Sequence, residues 1–209
     1  MELKIEKQVR GTRIIVGEQV KQRRSLLNSL IKIVENYGFQ EIILPSIESS
    51  QVYIDMAGQE IRDQMYVFQD KNNRELCLRP EATATVQLIA GKHFKRQRDL
   101  KLWYFERCWR YERPKAGRYR EFFQFGLEVI NPTTENWQEN LITVAEEMVS
   151  LKTRNYQVAR SVKRGLDYYT AEGFEISVDS LGAQKQVVGG GEYKQGIGFA
   201  IGFDRLMLC

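Results

Sequence analysis

The 209 residues read as an α+β domain organised around a mainly antiparallel sheet. Strand-like segments crowd the middle of the chain, with helical segments between and after them. One pair of strands shows clean two-residue alternation. No strand–glycine loop–helix phosphate motif stands where a doubly wound nucleotide-binding sheet would put it. No internal repeat, low-complexity tract or Ser/Pro-rich linker interrupts the chain, so residues 1–209 are expected to form one continuous domain.

The elements follow in order. From Glu18 to Tyr37, the residues Leu26, Leu27, Leu30, Ile31, Val34 and Tyr37 share a helical face, and Gly38 is a natural stop. Glu41–Leu44 reads as a strand ended by Pro45. Met65–Phe68 and Glu75–Leu78 form a hairpin around Asp70–Asn73. Glu81–Ala90 is expected to be helical, with Pro80 at its first turn. Leu100–Glu112 and Phe122–Ile130 read as long strands. Glu135–Leu151 is a helix whose buried stripe is Trp137, Leu141, Val144, Met148 and Leu151. Later strands are expected at Asn155–Ser161, Phe174–Asp179 and Gln184–Val188. The end, Phe199–Leu208, reads as a helix with Phe199, Phe203, Leu206 and Met207 facing inward.

Composition narrows the chemistry. Hydrophobic residues make up 43% and charged residues 28%, ordinary for a soluble globular protein. No apolar run approaches the ~20 residues of a membrane span, and Met1–Lys7 lacks the apolar core of a secretory signal. Cys77, Cys108 and Cys209 are far apart and show no zinc-type spacing, which favours a reducing cytosol over a disulfide framework. His93 is the one histidine. That argues against a triad or a His-based metal site and leaves arginines, carboxylates and backbone groups to carry any reaction. The net charge of +4 is mild, but Arg113, Lys115, Arg118 and Arg120 fall close together.

The two long strands are the most informative. On the second, Phe123, Phe125, Leu127 and Val129 point one way, a core face. Phe122, Gln124, Gly126 and Glu128 point the other. On the first, Glu106, Cys108, Arg110 and Glu112 share a face. Paired, they make a polar floor, and the connection Arg113–Arg120 is a basic loop that suits a phosphate-bearing ligand. A sheet with one solvated face is the ordinary alternative.

The run Phe105–Pro114, followed by Gly117–Arg120 and Gln124–Glu128, resembles motif 2 of the histidyl-tRNA synthetases. Leu78-Arg79-Pro80-Glu81-Ala82-Thr83 is similar to that family's LRPEGT. Arg164-Gly165-Leu166-Asp167-Tyr168-Tyr169 is similar to its histidine-specific RGLDYY, the most diagnostic of the matches. Gly189–Tyr193 and Gly198–Leu206 resemble its glycine-rich strand and motif 3, and Pro45 stands where motif 1 has its proline. The resemblance covers nearly the whole chain. It implies a class II aminoacyl-tRNA synthetase core that activates histidine with ATP and Mg2+, followed by transfer to tRNA.

By this likeness Arg110 would hold the α-phosphate and Arg118 the γ-phosphate. Phe122 and Arg205 would sandwich the adenine, with Glu112 also at the nucleotide. Arg164 would be a fixed catalytic cation beside the α-phosphate. Glu81, Thr83, Gln124, Glu128, Tyr168 and Tyr169 would grip the histidine. The tRNA acceptor end would meet Arg113, Lys115, Arg118 and Arg120. Motif 1 implies a homodimer, in the cytoplasm. Taken singly, Arg205 also fits a solvated helix residue, Glu128 a strand-end carboxylate, and the two tyrosines ordinary strand aromatics.

The chain departs from the family in places. Only Asn131–Lys163 stands where the family carries an insertion domain, and the anticodon-binding domain that follows motif 3 has no counterpart within the 209 residues. GGRYD becomes Gly190-Gly191-Glu192-Tyr193-Lys194. Ile14 stands where an aspartate is expected, Phe123 for a histidine of motif 2, and Asp204 for a glutamate of motif 3. Adenylate formation is therefore better supported than tRNA charging. The competing reading is a non-catalytic synthetase-like regulatory subunit of ATP phosphoribosyltransferase. Retention of Arg110, Arg118, Arg164 and Arg205 favours the enzyme, because a sensor needs no triphosphate clamp. A nucleic-acid-binding module using the basic loop alone is a third reading, against which the retained histidine pocket counts.

Overall fold

The computed structural model describes residues 2–209. A two-stranded ribbon, β1 (Glu2–Leu3) and β2 (Ile14–Ile15), precedes the helix α1 (Glu18–Asn36). Leu26, Leu30, Ile33 and Val34 are its buried positions, the 3–4 spacing that the sequence predicts. Gly38, at φ 77°, turns the chain out of the helix.

A strand over Glu41–Leu44 is realised only as β3 (Gln40–Glu41). It lies parallel to β7 (Leu100–Trp109), pairing Gln40 with Leu102 and Glu41 with Trp103. Beyond it the chain leaves the ladder because a side chain takes over the backbone: the Leu44 N–H donates to the Glu106 carboxylate at 2.7 Å. A small sheet follows, β4 (Ile47–Ser49), β5 (Tyr66–Gln69) and β6 (Glu75–Leu78), in the order β4-β6-β5. The expected hairpin is its β5–β6 half, closed by the Asp70 carboxylate accepting from the N–H groups of Asn72 and Arg74. Between β4 and β5 run α2 (Ser50–Ala57) and a 3-10 turn, Gln59–Gln64.

The next helix, α3 (Thr83–His93), begins two residues later than the sequence suggests. Glu81 stays outside it because its carboxylate accepts from the first N–H groups, Thr83 at 2.8 Å and Ala84 at 2.9 Å. The long hairpin pairs β7 with β8 (Glu121–Ile130) in unbroken register from Leu100↔Ile130 to Trp109↔Glu121. The first strand stops at Trp109 rather than Glu112, since Trp109 and Tyr111 donate to the carbonyls of Arg79 and Gln64 instead of to β8.

The helix α4 (Trp137–Ser150) carries the chain across to β9 (Gln157–Val162), β10 (Gly173–Ser177), β11 (Gln186–Tyr193) and β12 (Gly196–Gly202). Here the expectation of a helix over Phe199–Leu208 fails. Phe199–Gly202 belongs to β12, and only α5 (Phe203–Leu206) is helical. The segment is wedged between β8 and β11 and bonded to both, with Phe199 opposite Leu127 on one side and Gly190 on the other. A seven-stranded sheet results, ordered β3-β7-β8-β12-β11-β10-β9 and antiparallel everywhere but at β3.

One face of this sheet buries α1 and α4 against Phe125, Leu127, Val129, Phe174, Ile176 and Phe199. Phe125, Leu127 and Val129 are alternate β8 positions assigned to a core face, and Trp103 stacks on Phe125 with ring centroids 5.3 Å apart. The other face is covered only at one end, by α2, α3 and the small sheet. The remainder stays open as a cleft. Among the described residues no helix is long and apolar enough to cross a membrane.

Candidate active site

The cleft holds a cavity of about 410 Å³. Its floor is the polar face of the long hairpin. Glu106 lies opposite Gln124, Cys108 opposite Phe122, and Tyr104 opposite Gly126. The gap left at Gly126 is filled from the neighbouring strand: a Cβ there would overlap the Tyr104 ring. The Cys108 thiol donates to Gln124 Oε1 at 3.2 Å, and burial pushes that thiol up to about 12.

Of the side chains that the sequence singles out, Glu81, Thr83, Arg110, Glu112, Arg118, Phe122, Gln124, Arg164, Tyr168, Tyr169 and Arg205 all line this one cavity. They arrive from the start of α3, the hairpin, the loop before β10 and the chain's last turn. Glu128 does not line it. Fully buried, it lies beneath the floor, where Thr83 Oγ1 and the Tyr193 hydroxyl each donate to it at 2.8 Å. Gly198 makes room for it, since a Cβ on that residue would overlap Glu128 Oε2. Desolvation outweighs those hydrogen bonds and raises the Glu128 carboxyl to about 8.

The cavity has two chemical ends. At one, Glu81 is buried, and loss of solvent raises its carboxyl despite its backbone bonds and the nearby Arg110 charge. The Tyr168 hydroxyl reaches Glu81 at 3.4 Å, and the Tyr168 and Tyr169 rings lie 4.6 Å apart. The other end is cationic. Arg110 donates to the Pro80 carbonyl at 2.9 Å and lies 5.5 Å from the Phe122 ring centre. Arg118 pairs with Glu112, which raises the guanidinium further. Arg205 donates to the carbonyls of Gly117 and Gln186, both at 2.8 Å. It therefore ties the basic loop to β11. Arg164 stands between the ends, held by Glu175 at 2.6 Å. It lies flat on β11 because Gly189 has no Cβ to meet its guanidinium.

Of the basic loop, Lys115 and Arg118 form a tight turn through paired backbone bonds. Arg120 lies 4.0 Å from the Tyr111 ring centre and donates to the Glu112 carbonyl at 3.0 Å. Among the described residues no group of three or more His, Cys, Asp or Glu is placed to hold a metal ion. Glu112 and Asp204 are the acidic side chains at the cationic end.

Several residues that the sequence did not single out complete the site. Arg79, fully buried, donates to the Pro45 carbonyl at 2.8 Å and to Glu106 at 2.5 Å. Its own carbonyl receives Trp109. It thus fixes the strand end that launches Arg110 and the turn that launches Glu81. The residue lies inside LRPE, but its acidic partner is 27 residues away, a pairing that no local pattern announces. Tyr193 was visible within the glycine-rich run without a role. Ile61 and Gln64 come from the 3-10 turn and had no signal.

Comparison with known proteins agrees with this geometry. Residues 11–161 match the family model described as histidyl-tRNA synthetase. The histidine–tRNA ligase of Methanocaldococcus jannaschii is 38% identical over 180 residues, which cover 86% of this chain and 39% of that protein. The crystal structure of apo Staphylococcus aureus histidyl-tRNA synthetase superposes with a TM-score of 0.80 at 25% identity, over 98% of this chain and 70% of that one. A Bacillus halodurans structure described as an ATP phosphoribosyltransferase regulatory subunit/histidyl-tRNA synthetase shares the fold, with a TM-score of 0.83 at 16% identity, over 97% of this chain and 82% of that one. The chain spans well under half the length of the M. jannaschii relative. The family match, the relatives and the superposition agree: the chain belongs to the histidyl-tRNA synthetase family.

Proposed function

We propose that this chain activates histidine with ATP to form histidyl-adenylate and pyrophosphate. The observation that carries the reading is the polarity of the cavity: a carboxylate and hydroxyl end and a guanidinium end face each other across Gln124 and Arg164. Such a site suits a substrate with an ammonium group on one side and a triphosphate on the other.

The chemistry asks for positioning and charge neutralisation rather than a protein nucleophile. A carboxylate oxygen of histidine forms a bond to the α-phosphorus, the bond from that phosphorus to the bridging oxygen breaks, and pyrophosphate leaves with the electron pair. Glu81 and the tyrosines hold the amino acid. Arg110 and Arg164 face the α-phosphate, where negative charge builds. Phe122 and the face of Arg205 take the adenine, and Arg118 the γ-phosphate. Mg2+, when bound with the nucleotide, would neutralise phosphate charge. Asp204, the other carboxylate at this end, is already engaged by Arg13 and Arg23, so Glu112 is the carboxylate that would meet the ion, with phosphate oxygens and water as the other ligands.

Transfer to tRNA is part of the same proposal, with Arg113, Lys115, Arg118 and Arg120 meeting the acceptor end. So is a cytoplasmic homodimer. The apolar Ile43, Ile47, Val67 and Phe68 are exposed around the segment after β3 and on the small sheet, with Ile43 82% exposed. The regulatory reading is disfavoured by the four arginines lining the cavity. The deciding experiment is histidine-dependent exchange of labelled pyrophosphate into ATP. Exchange with histidine and not with other amino acids is expected; no exchange at saturating histidine and ATP would overturn the enzyme and leave the regulatory subunit.

A further inference from the structure

The segment before α1 is not a loose leader. The Gly11 carbonyl accepts the Arg120 N–H at 2.9 Å, so the returning limb of the basic loop is bonded to it. Gly11 has φ +86°, and a Cβ there would come within 2.8 Å of Arg120 Cγ and 2.9 Å of Pro114 Cγ. Only glycine fits both the backbone and the space.

Two residues on, the Arg13 guanidinium lies 3.5 Å from the centre of the Tyr119 ring and forms an ion pair with Asp204. Asp204 is buried, and it also receives Arg23 at 2.6 Å and the Phe123 N–H at 2.7 Å. Tyr119 and Asp204 both line the cavity, at its phosphate end. The loop is therefore held from two directions by adjacent residues: Arg205 bonds Gly117 directly, and Asp204 reaches Tyr119 through Arg13.

We propose that Arg13 is a positioning residue for the nucleotide, acting through Tyr119, and that Gly11–Arg13 is a clasp setting the height of the basic loop over the triphosphate. The inference rests on the reading of this cavity as an ATP site. It also accounts for one departure noted in the sequence. The acid expected at position 14 is unnecessary where Asp204 already engages Arg13 and Arg23, and Ile14 is free to pair in the β1–β2 ribbon.

The test measures ATP and histidine affinity separately by calorimetry, in wild type, Arg13→Met, Arg13→Lys, Tyr119→Ala, Tyr119→Phe and the double variant Arg13→Met/Tyr119→Ala. Loss of a stacked cation that also carries an ion pair should weaken ATP binding about 10-fold in Arg13→Met, with histidine affinity within about twofold of wild type. Arg13→Lys keeps the charge and loses the flat stack, so it should fall between. Tyr119→Phe should match wild type. The double variant should be no weaker than the worse single one, since the two side chains act as a unit. Arg24→Met, on the exposed side of α1, is the control and should change neither affinity. Additive losses, equal losses for both substrates, or unchanged ATP affinity in Arg13→Met would each overturn the clasp. A wild type that binds histidine but no ATP would overturn the nucleotide reading and the clasp with it.

Discussion

Replacing Glu128 with glutamine should make the protein more stable at neutral pH and have little effect in mild acid. The carboxyl is fully buried, and its value rises from 4.5 to about 8 on folding, first through desolvation and only partly offset by the Thr83 and Tyr193 hydroxyls. The sign follows from proton counts. Between those two values the folded chain holds a proton that the unfolded chain releases, so wild type loses stability as pH rises through this window. Each pH unit costs about 1.4 kcal/mol, and the group's total between pH 5 and pH 7 comes to roughly 2.5 kcal/mol. Glutamine matches the neutral acid in shape, titrates nowhere in the range, and can accept and donate where the two hydroxyls turn. Glu81, the neighbouring buried carboxylate, is common to both proteins and largely cancels. Urea unfolding of both proteins without ligand, at pH 5, 6 and 7, reads the difference directly. The stability gap should widen by about 2.5 kcal/mol from pH 5 to pH 7. A gap that stays constant over that range would show that Glu128 is ionised when folded and that the reasoning about its burial is wrong.

Further outcomes follow from the site. Arg164→Ala should leave histidine and ATP binding nearly intact and slow adenylate formation about 100- to 1,000-fold in a single-turnover quench assay, as expected for one preorganised stabiliser of developing charge. Equal damage to binding would recast Arg164 as a ligand-holding residue. Arg205→Ala frees the Gly117 carbonyl and removes the face proposed to take the adenine, so ATP affinity by calorimetry should drop about 10-fold or more. Histidine should raise the melting temperature while glutamine and phenylalanine do not, because each buried group left unpaired costs about 1–3 kcal/mol. Equal shifts would mean that the amino-acid end is misread.

The sequence yields most where one period dominates. Strand β8 buries Phe125, Leu127 and Val129 against the helices, with the half-buried Phe123 packed beside them, and turns the alternate face to the cleft, because a two-residue repeat admits no other reading of a half-buried strand. The same logic failed at the chain's end. Phe199, Phe203, Leu206 and Met207 fall at helical spacing, while Ile197, Phe199 and Ile201 alternate as a strand does. The strand won because two neighbours were waiting to bond it, and one of them, β8, lies about 70 positions away, outside any local window. The eleven side chains gathered in the cavity were legible as a set because their motifs are short and ordered. What supports them was not. Arg79 meets Glu106 across 27 positions, Thr83 meets Glu128 across 45, and Arg13 meets Asp204 across 191. Ion pairs and hydrogen bonds over such separations leave no periodic trace.

The placement of β12 bears on how the protein folds. The hairpin β7–β8 closes over a connection of eleven residues between Trp109 and Glu121, but Gln124–Ile130 must wait for Gly196–Gly202, the last strand made, before its second edge is bonded. Until then Glu128 has no Gly198 beside it and no Tyr193 above it. A contact so distant along the chain is entropically late. The two helices can pack on the core face of the hairpin early, while the cleft floor remains wet and its acid ionised. In pulse-labelled hydrogen exchange, amides of β7 should gain protection before those of β11 and β12, so that a nascent chain is compact before it is competent.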